Sequence, residues 1–180
     1  MRVMIDACVL YPTVMREVVL GCAAQGLFEP RWSSRILEEW ARATIKLGPE
    51  QEVWARGEIA ALTVKFPRAC VNYDAPTEAR FWLPDPADIH VLAAAVAGSC
   101  DAILTVNAKD FPANILGEEG LYRRDPDNFL CQLFDEAPEA VRNVADDVLA
   151  EANRLSERPW EMRALMKKAR LPRFGKALIA

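Results

Sequence analysis

Short apolar runs alternate along the chain with longer segments of helical periodicity, and this alternation restricts the fold more than any other feature. Residues 3–5 and 102–106 predict buried strands, because these runs are apolar and too short for helices. Residues 28–32 and 69–73 are weaker strand candidates. Strands that alternate with helices indicate a parallel sheet covered by helices. With right-handed crossovers, the predicted fold is α/β, a Rossmann-like α/β/α sandwich with a central parallel sheet.

Capping residues and prolines mark the helices in this part of the chain. Gly26 is a predicted C-cap, Ser33 or Ser34 an N-cap, and Pro67 follows the end of a helix. Helices are predicted at roughly residues 16–25, from Ser33 or Ser34 to 47, at 49–65 and at 84–97.

The pattern changes after about Asn128, where no strand-like run returns. Apolar residues between Val141 and Leu155 keep helical spacing, and Pro138 suits a first helical position. A second helix is predicted over residues 160–169. We therefore predict an α/β domain over residues 1–130 and a C-terminal helical extension over residues 131–180.

Composition limits the kinds of site that the chain can build. Of its 180 residues 52% are hydrophobic, and charges or prolines interrupt every apolar segment before it reaches membrane-spanning length. The five cysteines are widely spread, which predicts reduced thiols in a cytoplasmic protein. The single histidine, His90, excludes a two-histidine acid–base nuclease and a His-rich zinc site within one chain. His90 itself is predicted to be a packed residue, because its helix is almost wholly apolar.

Charge is distributed unevenly. From Arg158 onward there are seven basic residues and one acid, so this segment carries +6, while residues 1–157 carry −10. An acidic body suits a cation site and a basic tail suits an anionic partner. A solvated helix face explains the basic tail equally well at this point.

Acidic and polar side chains follow the two clearest strands. Asp6 comes directly after the first, and Thr105, Asn107 and Asp110 stand at or after the end of the second. Ligands of open parallel sheets bind beyond the carboxyl ends of the strands, so these side chains are predicted to face one crevice. Asp6 and Asn107 also fit a simpler role, because Asp and Asn commonly hold turns.

Two helices contribute further acids. Asp85 and Asp88 lie three residues apart at a helix start, on one helical face. Capping explains Asp85 well and Asp88 less well, because Glu or Gln fits the reciprocal capping bond better. Glu38 and Glu39 both flank the apolar stripe of the helix after Ser34, and periodicity does not choose between them. Either also fits a solvated first-turn glutamate favoured by the helix dipole.

Together the acids predict a metal site. Several carboxylates at one crevice, with almost no histidine, suit a hard cation with oxygen ligands, Mg²⁺ or Mn²⁺. Like charges packed together cost free energy unless a cation neutralises them. A metal ion in such a site can activate water and hold a phosphate oxygen, which is a route to phosphodiester cleavage.

The order of these motifs resembles the PIN-domain ribonucleases, especially the VapC-type toxins of toxin–antitoxin systems. The matching stretches are residues 3–10, 33–40, 83–95 and 101–111, all within the 1–130 domain. The last two together are fairly specific, whereas the first alone is not. The resemblance implies an Mg²⁺- or Mn²⁺-dependent endoribonuclease, a hydrolase that uses metal-activated water without a covalent intermediate.

The resemblance also implies roles for individual residues. The implied catalytic residues are Asp6, Glu39, Asp88 and Asp110. The implied metal ligands are Asp6, Asp88 and Asp110, and the auxiliary or substrate-contacting residues are Asp85, Thr105 and Asn107. Glu39 is preferred to Glu38 because the acid of the family follows a Leu-x pattern, here from Leu37. Ala7 and Cys8 stand where the family usually has Thr and Asn, so two small polar groups near the metal are expected to be lost.

The resemblance implies partners as well. RNA is the expected substrate, a small antitoxin protein the expected inhibitor, and a homodimer a further candidate assembly, with no membrane. A groove for the inhibitor is predicted around Trp40, Ile45 and Trp54, since Trp is favoured at binding hot spots. The basic tail is predicted to meet RNA phosphates.

Two other classes of protein share parts of this sequence pattern. A phosphatase of the haloacid dehalogenase type also begins with a strand-ending Asp, but it needs a second Asp two residues later, where this chain has Cys8. A catalytically weak or inactive PIN-like domain would serve as a module for RNA or protein interaction. Acids at all four matched positions argue against that module, although Ala7 and Cys8 leave it open.

Overall fold

The computed structural model describes residues 1–180, which form two compact units. The α/β unit comprises Met1–Tyr11 and Glu29–Arg124, and the helical unit comprises Pro12–Phe28 and Asp125–Ala180. Contacts in the structure group residues 12–28 with the C-terminal helices, whereas the sequence predicts a boundary near residue 130.

A four-stranded parallel sheet lies at the centre of the α/β unit. Its strands are β1 (Arg2–Ile5), β2 (Glu29–Arg31), β3 (Ala102–Leu104) and β4 (Tyr122–Arg124). The spatial order is β2-β1-β3-β4, and Val3 pairs with both Pro30 and Ala102. The predicted fold class, a parallel sheet flanked by helices with further helices at the C-terminal end, is confirmed.

Most of the chain outside the strands is helical. The helices are, in chain order, α1 (Ala7–Leu10), α2 (Thr13–Ala24), α3 (Ser34–Thr44), α4 (Pro49–Lys65), α5 (Ala75–Glu78), α6 (Ile89–Ala97), α7 (Ala113–Glu118), α8 (Pro126–Glu136), α9 (Pro138–Arg154), α10 (Met162–Lys168) and α11 (Pro172–Ala177). Single 3₁₀ turns at Ile45–Leu47 and Pro86–Asp88 follow α3 and precede α6. None of the helices is long and apolar enough to cross a membrane.

Local signals account for where several helices begin. The hydroxyl of Ser33 accepts a hydrogen bond from the Ile36 N–H at 3.2 Å, which caps α3 as an N-cap serine should. Pro49 and Pro138 occupy first helical positions, where the missing N–H is not needed. The helix predicted from Pro138 is therefore confirmed over 17 residues.

Two strand predictions need correction. Residues 69–73 do not form a strand, because only Cys70 pairs there, through one isolated bridge to Trp32 beyond the end of β2. Conversely, β4 was not predicted. Its sequence Tyr122-Arg123-Arg124 is polar because β4 is an edge strand whose first two side chains are exposed, and it pairs with β3 through backbone hydrogen bonds.

Burial separates the central from the peripheral elements of the α/β unit. Every residue of β3 and residues 3–5 of β1 are fully buried, as are residues 90–95 of α6. A helix this apolar on all sides is buried, and α6 contacts both β1 and β3. The start of α6 is thereby fixed relative to the carboxyl ends of the two central strands.

The helical unit has its own core. The rings of Phe28 and Phe129 meet edge to face at 5.2 Å between centroids, and Leu165 and Phe174 are buried. The Asp127 carboxylate accepts hydrogen bonds from the N–H groups of Arg173, at 3.0 Å, and Phe174, at 2.9 Å, at the start of α11. The C-terminal segment therefore contributes to the folded core of this unit.

Candidate metal centre

Three carboxylates converge at the start of α6. One oxygen each from Asp85, Asp88 and Asp110 lies within 4.8 Å of the others. Asp85 and Asp88 bracket the 3₁₀ turn before α6, and Asp110 stands in the loop after β3. Since α6 and β3 are both buried core elements, their ends hold the three acids together. Oxygen ligands at this spacing fit one divalent cation.

Asp88 carries the clearest electrostatic strain in the group. The pKa of its carboxyl is raised from 3.8 to about 6, first by partial burial and then by the charges of Asp6, Asp85 and Asp110, in that order. Asp6 is thus close enough to act on Asp88 more strongly than the other two acids. A bound cation would relieve this repulsion, because it reverses the local sign of charge.

Asp6 is buried and lies beside the group of three rather than in it. Its Oδ2 accepts hydrogen bonds from the Thr105 hydroxyl at 2.7 Å and from the Cys8 thiol at 3.0 Å. The same Thr105 oxygen accepts the Asn107 N–H at 3.0 Å. The Asp6 carboxylate, directly after β1, is therefore fixed by one group on α1 and one directly after β3.

Asn107 connects this arrangement to Asp88. Its side-chain N–H donates to Asp88 Oδ2 at 3.3 Å, while its backbone N–H is held by Thr105. The residues predicted as auxiliary, Thr105 and Asn107, thus lie between the two acids. A chain of hydrogen bonds runs from Asp6 to Asp88, which restricts the rotamers of both carboxylates.

The expected loss of polar groups after Asp6 is wrong at Cys8. The thiol donates to Asp6, lies 3.4 Å from the Thr105 hydroxyl oxygen and accepts the Val106 N–H at 3.4 Å. Burial, followed by the charge of Asp6, raises the pKa of Cys8 to about 12, so the thiol keeps the proton that it donates. The Cys8 sulfur thus takes the part of one of the two polar side chains that the family usually has after the first Asp. Ala7 has no polar side chain, so the other polar group is absent.

Glu39 makes its contacts away from the three acids Asp85, Asp88 and Asp110. Its Oε1 lies 2.9 Å from His90 Nε2 and 3.6 Å from Arg35 Nε. The His90 contact is short but not aligned as a hydrogen bond. Arg35 in turn contacts Glu78 at 3.1 Å. His90 is fully buried, so its packed position is confirmed, but its contact with Glu39 was not predicted from the sequence.

Glu38 occupies a different environment on the same helix. Its carboxylate accepts hydrogen bonds from Arg42 at 2.8 Å and from Arg56 at 2.9 Å. These two guanidinium groups hold the pKa of Glu38 down at about 2. Of the two candidate glutamates, only Glu39 therefore contacts α6, which also begins at the acidic group.

Comparison with known proteins gives one family. A model of the PIN domain matches residues 2–109. The chain belongs to the PIN domain family. PIN domains are generally nucleases and typically use divalent metals, and the group of three acids is compatible with metal binding. The match ends one residue before Asp110. No curated protein and no solved structure shows a significant match to the chain.

Arg123 of this PIN domain holds the loop that carries Asp110. Its Nη1 donates to the carbonyls of Ala108 at 2.7 Å and Phe111 at 2.8 Å, on either side of that acid. We expect Arg123→Met to weaken Mn²⁺ binding about tenfold, because outer residues that orient ligands contribute on that scale. Isothermal titration calorimetry with Mn²⁺ measures the change.

Lys109→Met is the matched control for this experiment. It also removes one positive charge near Asp110, but Lys109 is exposed and is not the residue that binds the two carbonyls. Loss of a cation alone should strengthen Mn²⁺ binding slightly. If Arg123→Met binds Mn²⁺ as tightly as Lys109→Met, or more tightly, the two hydrogen bonds from Arg123 do not contribute to metal binding.

Proposed function

We propose that this PIN domain is an Mg²⁺- or Mn²⁺-dependent endoribonuclease that hydrolyses RNA phosphodiester bonds. The observation that carries the proposal is the convergence of Asp85, Asp88 and Asp110, with Asp6 acting strongly on Asp88. A metal ion held there would lower the pKa of a bound water and neutralise charge on a phosphate oxygen.

The chain's own residues have distinct proposed roles in this reaction. Asp6, Asp88 and Asp110 would hold the cation, and the hydrogen bonds through Thr105 and Asn107 orient the first two of them. Asp85 is exposed and already caps the next turn by accepting the Ala87 N–H at 2.9 Å, so its share in binding is smaller.

Glu39 stays in the proposed catalytic set as a carboxylate whose position is fixed by Arg35 and His90. Its place outside the group of three is also the observation that favours the alternative function, a catalytically weak or inactive PIN-like module that binds RNA or protein. An assay of RNA cleavage distinguishes an endoribonuclease from this weak or inactive module.

The direct test is the chemistry of the RNA ends. Purified protein with Mn²⁺ or Mg²⁺ should cut single-stranded RNA internally and leave 5′-phosphate and 3′-hydroxyl ends, because a water molecule attacks the phosphorus and the P–O3′ bond breaks, so that the phosphate stays on the 5′ oxygen. Ligation to an adaptor that requires a 5′-phosphate detects these products. Products with 2′,3′-cyclic phosphate, or no cleavage with either metal, would contradict the proposed mechanism.

We further propose that the protein is the toxin of a toxin–antitoxin pair and is inhibited by a small protein. The predicted groove needs correction, because Trp40 is fully buried and is a core residue of α3. Trp54 is 48% exposed, and Val53 and Val64 of the same helix are more exposed still. The exposed apolar side chains Val53, Trp54 and Val64 of α4 therefore mark the surface that we propose for the antitoxin, with a second copy of the chain as the competing occupant.

The basic C-terminal segment has both a structural and a proposed binding role. Leu165 and Phe174 belong to the core of the helical unit, so deleting the segment would unfold part of that unit. Its basic side chains are exposed at all seven positions. We propose that they contribute salt-dependent contacts to RNA phosphates.

A further inference from the structure

An exposed tryptophan stands just ahead of the acidic group. Trp82 is 66% exposed, although the next residue, Leu83, is fully buried and anchors the loop in the core. The loop therefore has a fixed position but directs a large aromatic ring into solvent. Trp in such a position commonly marks a contact surface, since its ring offers a large area with little conformational freedom to lose.

Trp82 forms one wall of a small pocket. The cavity has a volume of about 220 Å³. This is below the roughly 300–1,000 Å³ typical of pockets for drug-sized ligands, so a single planar group is a better match in size. The residues that line it are Arg80, Phe81, Trp82, Ile115, Glu118 and Glu119.

The lining combines flat surfaces with hydrogen-bond acceptors. The guanidinium of Arg80 lies over the Phe81 ring at 5.3 Å, next to the indole of Trp82. Unpaired bases stack on aromatic rings and on guanidinium planes. Glu118 and Glu119 add carboxylates, which only accept hydrogen bonds when ionised. The pocket thus suits a planar ring whose edge carries N–H donors.

Both walls of the pocket are connected to the acidic group by short stretches of chain. Trp82 precedes Asp85 by three residues, and Ile115 follows Asp110 by five. Three residues span at most about 10–11 Å when fully extended. A nucleic-acid strand whose phosphate lies at the acids can therefore place a neighbouring base in the pocket.

We propose that this pocket binds an unpaired guanine of the RNA strand that is cleaved at the acidic group. Guanine presents two adjacent N–H donors, at N1 and N2, which match the two oxygens of one carboxylate. On the same edge adenine and cytosine present a single amino donor beside an acceptor, and uracil a single imino donor between acceptors. That the ligand is RNA rests on the proposed nuclease function. The preference for guanine rests on the residues that line the pocket.

The test measures binding in EDTA, where metal-dependent cleavage is absent. Fluorescence anisotropy follows labelled short oligouridines that contain one guanosine, inosine or adenosine. Repulsion from the uncompensated acids is the same for all three RNAs and cancels in the ratios. We expect the guanosine RNA to bind about tenfold more tightly than the adenosine RNA, because hydrogen bonds to charged groups contribute on that scale. Inosine, which lacks the N2 donor, should fall between them.

Variants of the pocket separate stacking from edge recognition. Trp82→Ala should weaken binding of all three RNAs roughly tenfold, since stacking does not depend on the base. Glu118→Gln or Glu119→Gln should remove the preference for guanosine and leave affinity for the adenosine RNA nearly unchanged. Leu47→Ala, at an exposed apolar side chain that lies neither in the pocket nor on the proposed antitoxin surface, is the control and should change neither affinity nor preference.

The outcomes distinguish this proposal from the proposed function. Equal affinity for the three RNAs, or a guanosine preference that survives both glutamate variants, would overturn the pocket assignment even if the protein cleaves RNA. A preference for guanosine that is lost with Glu118→Gln or Glu119→Gln supports the pocket even if no cleavage is found. Unchanged RNA binding by Trp82→Ala would show that the exposed ring serves another partner, such as a protein, and would overturn the proposal.

Discussion

Asp88→Asn is expected to lower the rate of metal-dependent RNA cleavage at least about a hundredfold. Loss of a residue that merely orients a ligand weakens metal sites by 10–100-fold, and loss of a ligand itself should exceed this. Asp88 is the acid on which the other three act and the one that Asn107 contacts. Asparagine keeps the size of the side chain while it removes the charge, so the fold should be retained.

Initial rates on an end-labelled RNA at fixed Mn²⁺ measure this effect, and circular dichroism checks the fold. Glu38→Gln is the control, because Glu38 is also a helix carboxylate but pairs with Arg42 and Arg56 away from the acidic group. It should stay within about twofold of the wild-type rate, as is usual for exposed pairs of little energetic weight. A folded Asp88→Asn protein with near wild-type activity would refute the proposed centre.

Divalent metal should stabilise the α/β unit substantially. At a free Mn²⁺ concentration of about 100 times Kd, mass action contributes about 2.7 kcal/mol to the free energy of unfolding. For a chain of this size that corresponds to a rise of roughly 5–10 °C in Tm. Asp88→Asn should lose most of this rise. Thermal unfolding with Mn²⁺ and with EDTA gives both values, and an equal rise for the two proteins would place the metal elsewhere.

Without metal the order of stability should reverse, with Asp88→Asn more stable than the wild type at neutral pH. Because the pKa of Asp88 is raised to about 6 in the folded protein, the folded state binds this proton more tightly than the unfolded state. Its contribution to stability is present at low pH and is lost as pH rises from about 4 through 6. Asparagine does not ionise, so the difference should open over that range and stay constant above it.

The expected size of this reversal is about 1 kcal/mol, because Asp88 is only partly buried and solvent screens part of the repulsion. Urea unfolding in EDTA at several pH values measures it. A wild type that remains the more stable protein at pH 7 without metal would show that the acids do not repel one another as the structure indicates.

The arrangement of the central elements was predictable from local patterns. The apolar runs at residues 3–5 and 102–104 are buried strands, and the amphipathic spacing after Pro138 is a long helix. These signals work because burial on both faces of a parallel sheet requires apolar residues throughout, and a helix needs only one apolar stripe. The same patterns therefore also predict which residues stand at the ends of these elements, including Asp6 after β1 and Asp88 before α6.

Pairing at the edges of the sheet was not predictable. The polar edge strand β4 has no alternation of apolar residues to reveal it. Residues 69–73 have a strand-like sequence, but only Cys70 pairs, through one isolated bridge. The grouping of residues 12–28 with the C-terminal helices also depends on contacts far apart in the chain, such as that between Phe28 and Phe129. The periodicity of a helix shows that it has an apolar face, but not which distant segment of the chain that face packs against.

The α/β fold class and four candidate acids, Asp6, Glu39, Asp88 and Asp110, could be predicted from the strand–helix alternation and the motif order of the family. The distribution of those acids depends on packing: Asp88 and Asp110 lie with Asp85, Asp6 lies beside them, and Glu39 contacts His90. Packing also brings the Cys8 thiol to Asp6, to which it donates a hydrogen bond. Spacing along one element fixes only which face a side chain occupies. Distances between side chains on different elements depend instead on how those elements pack.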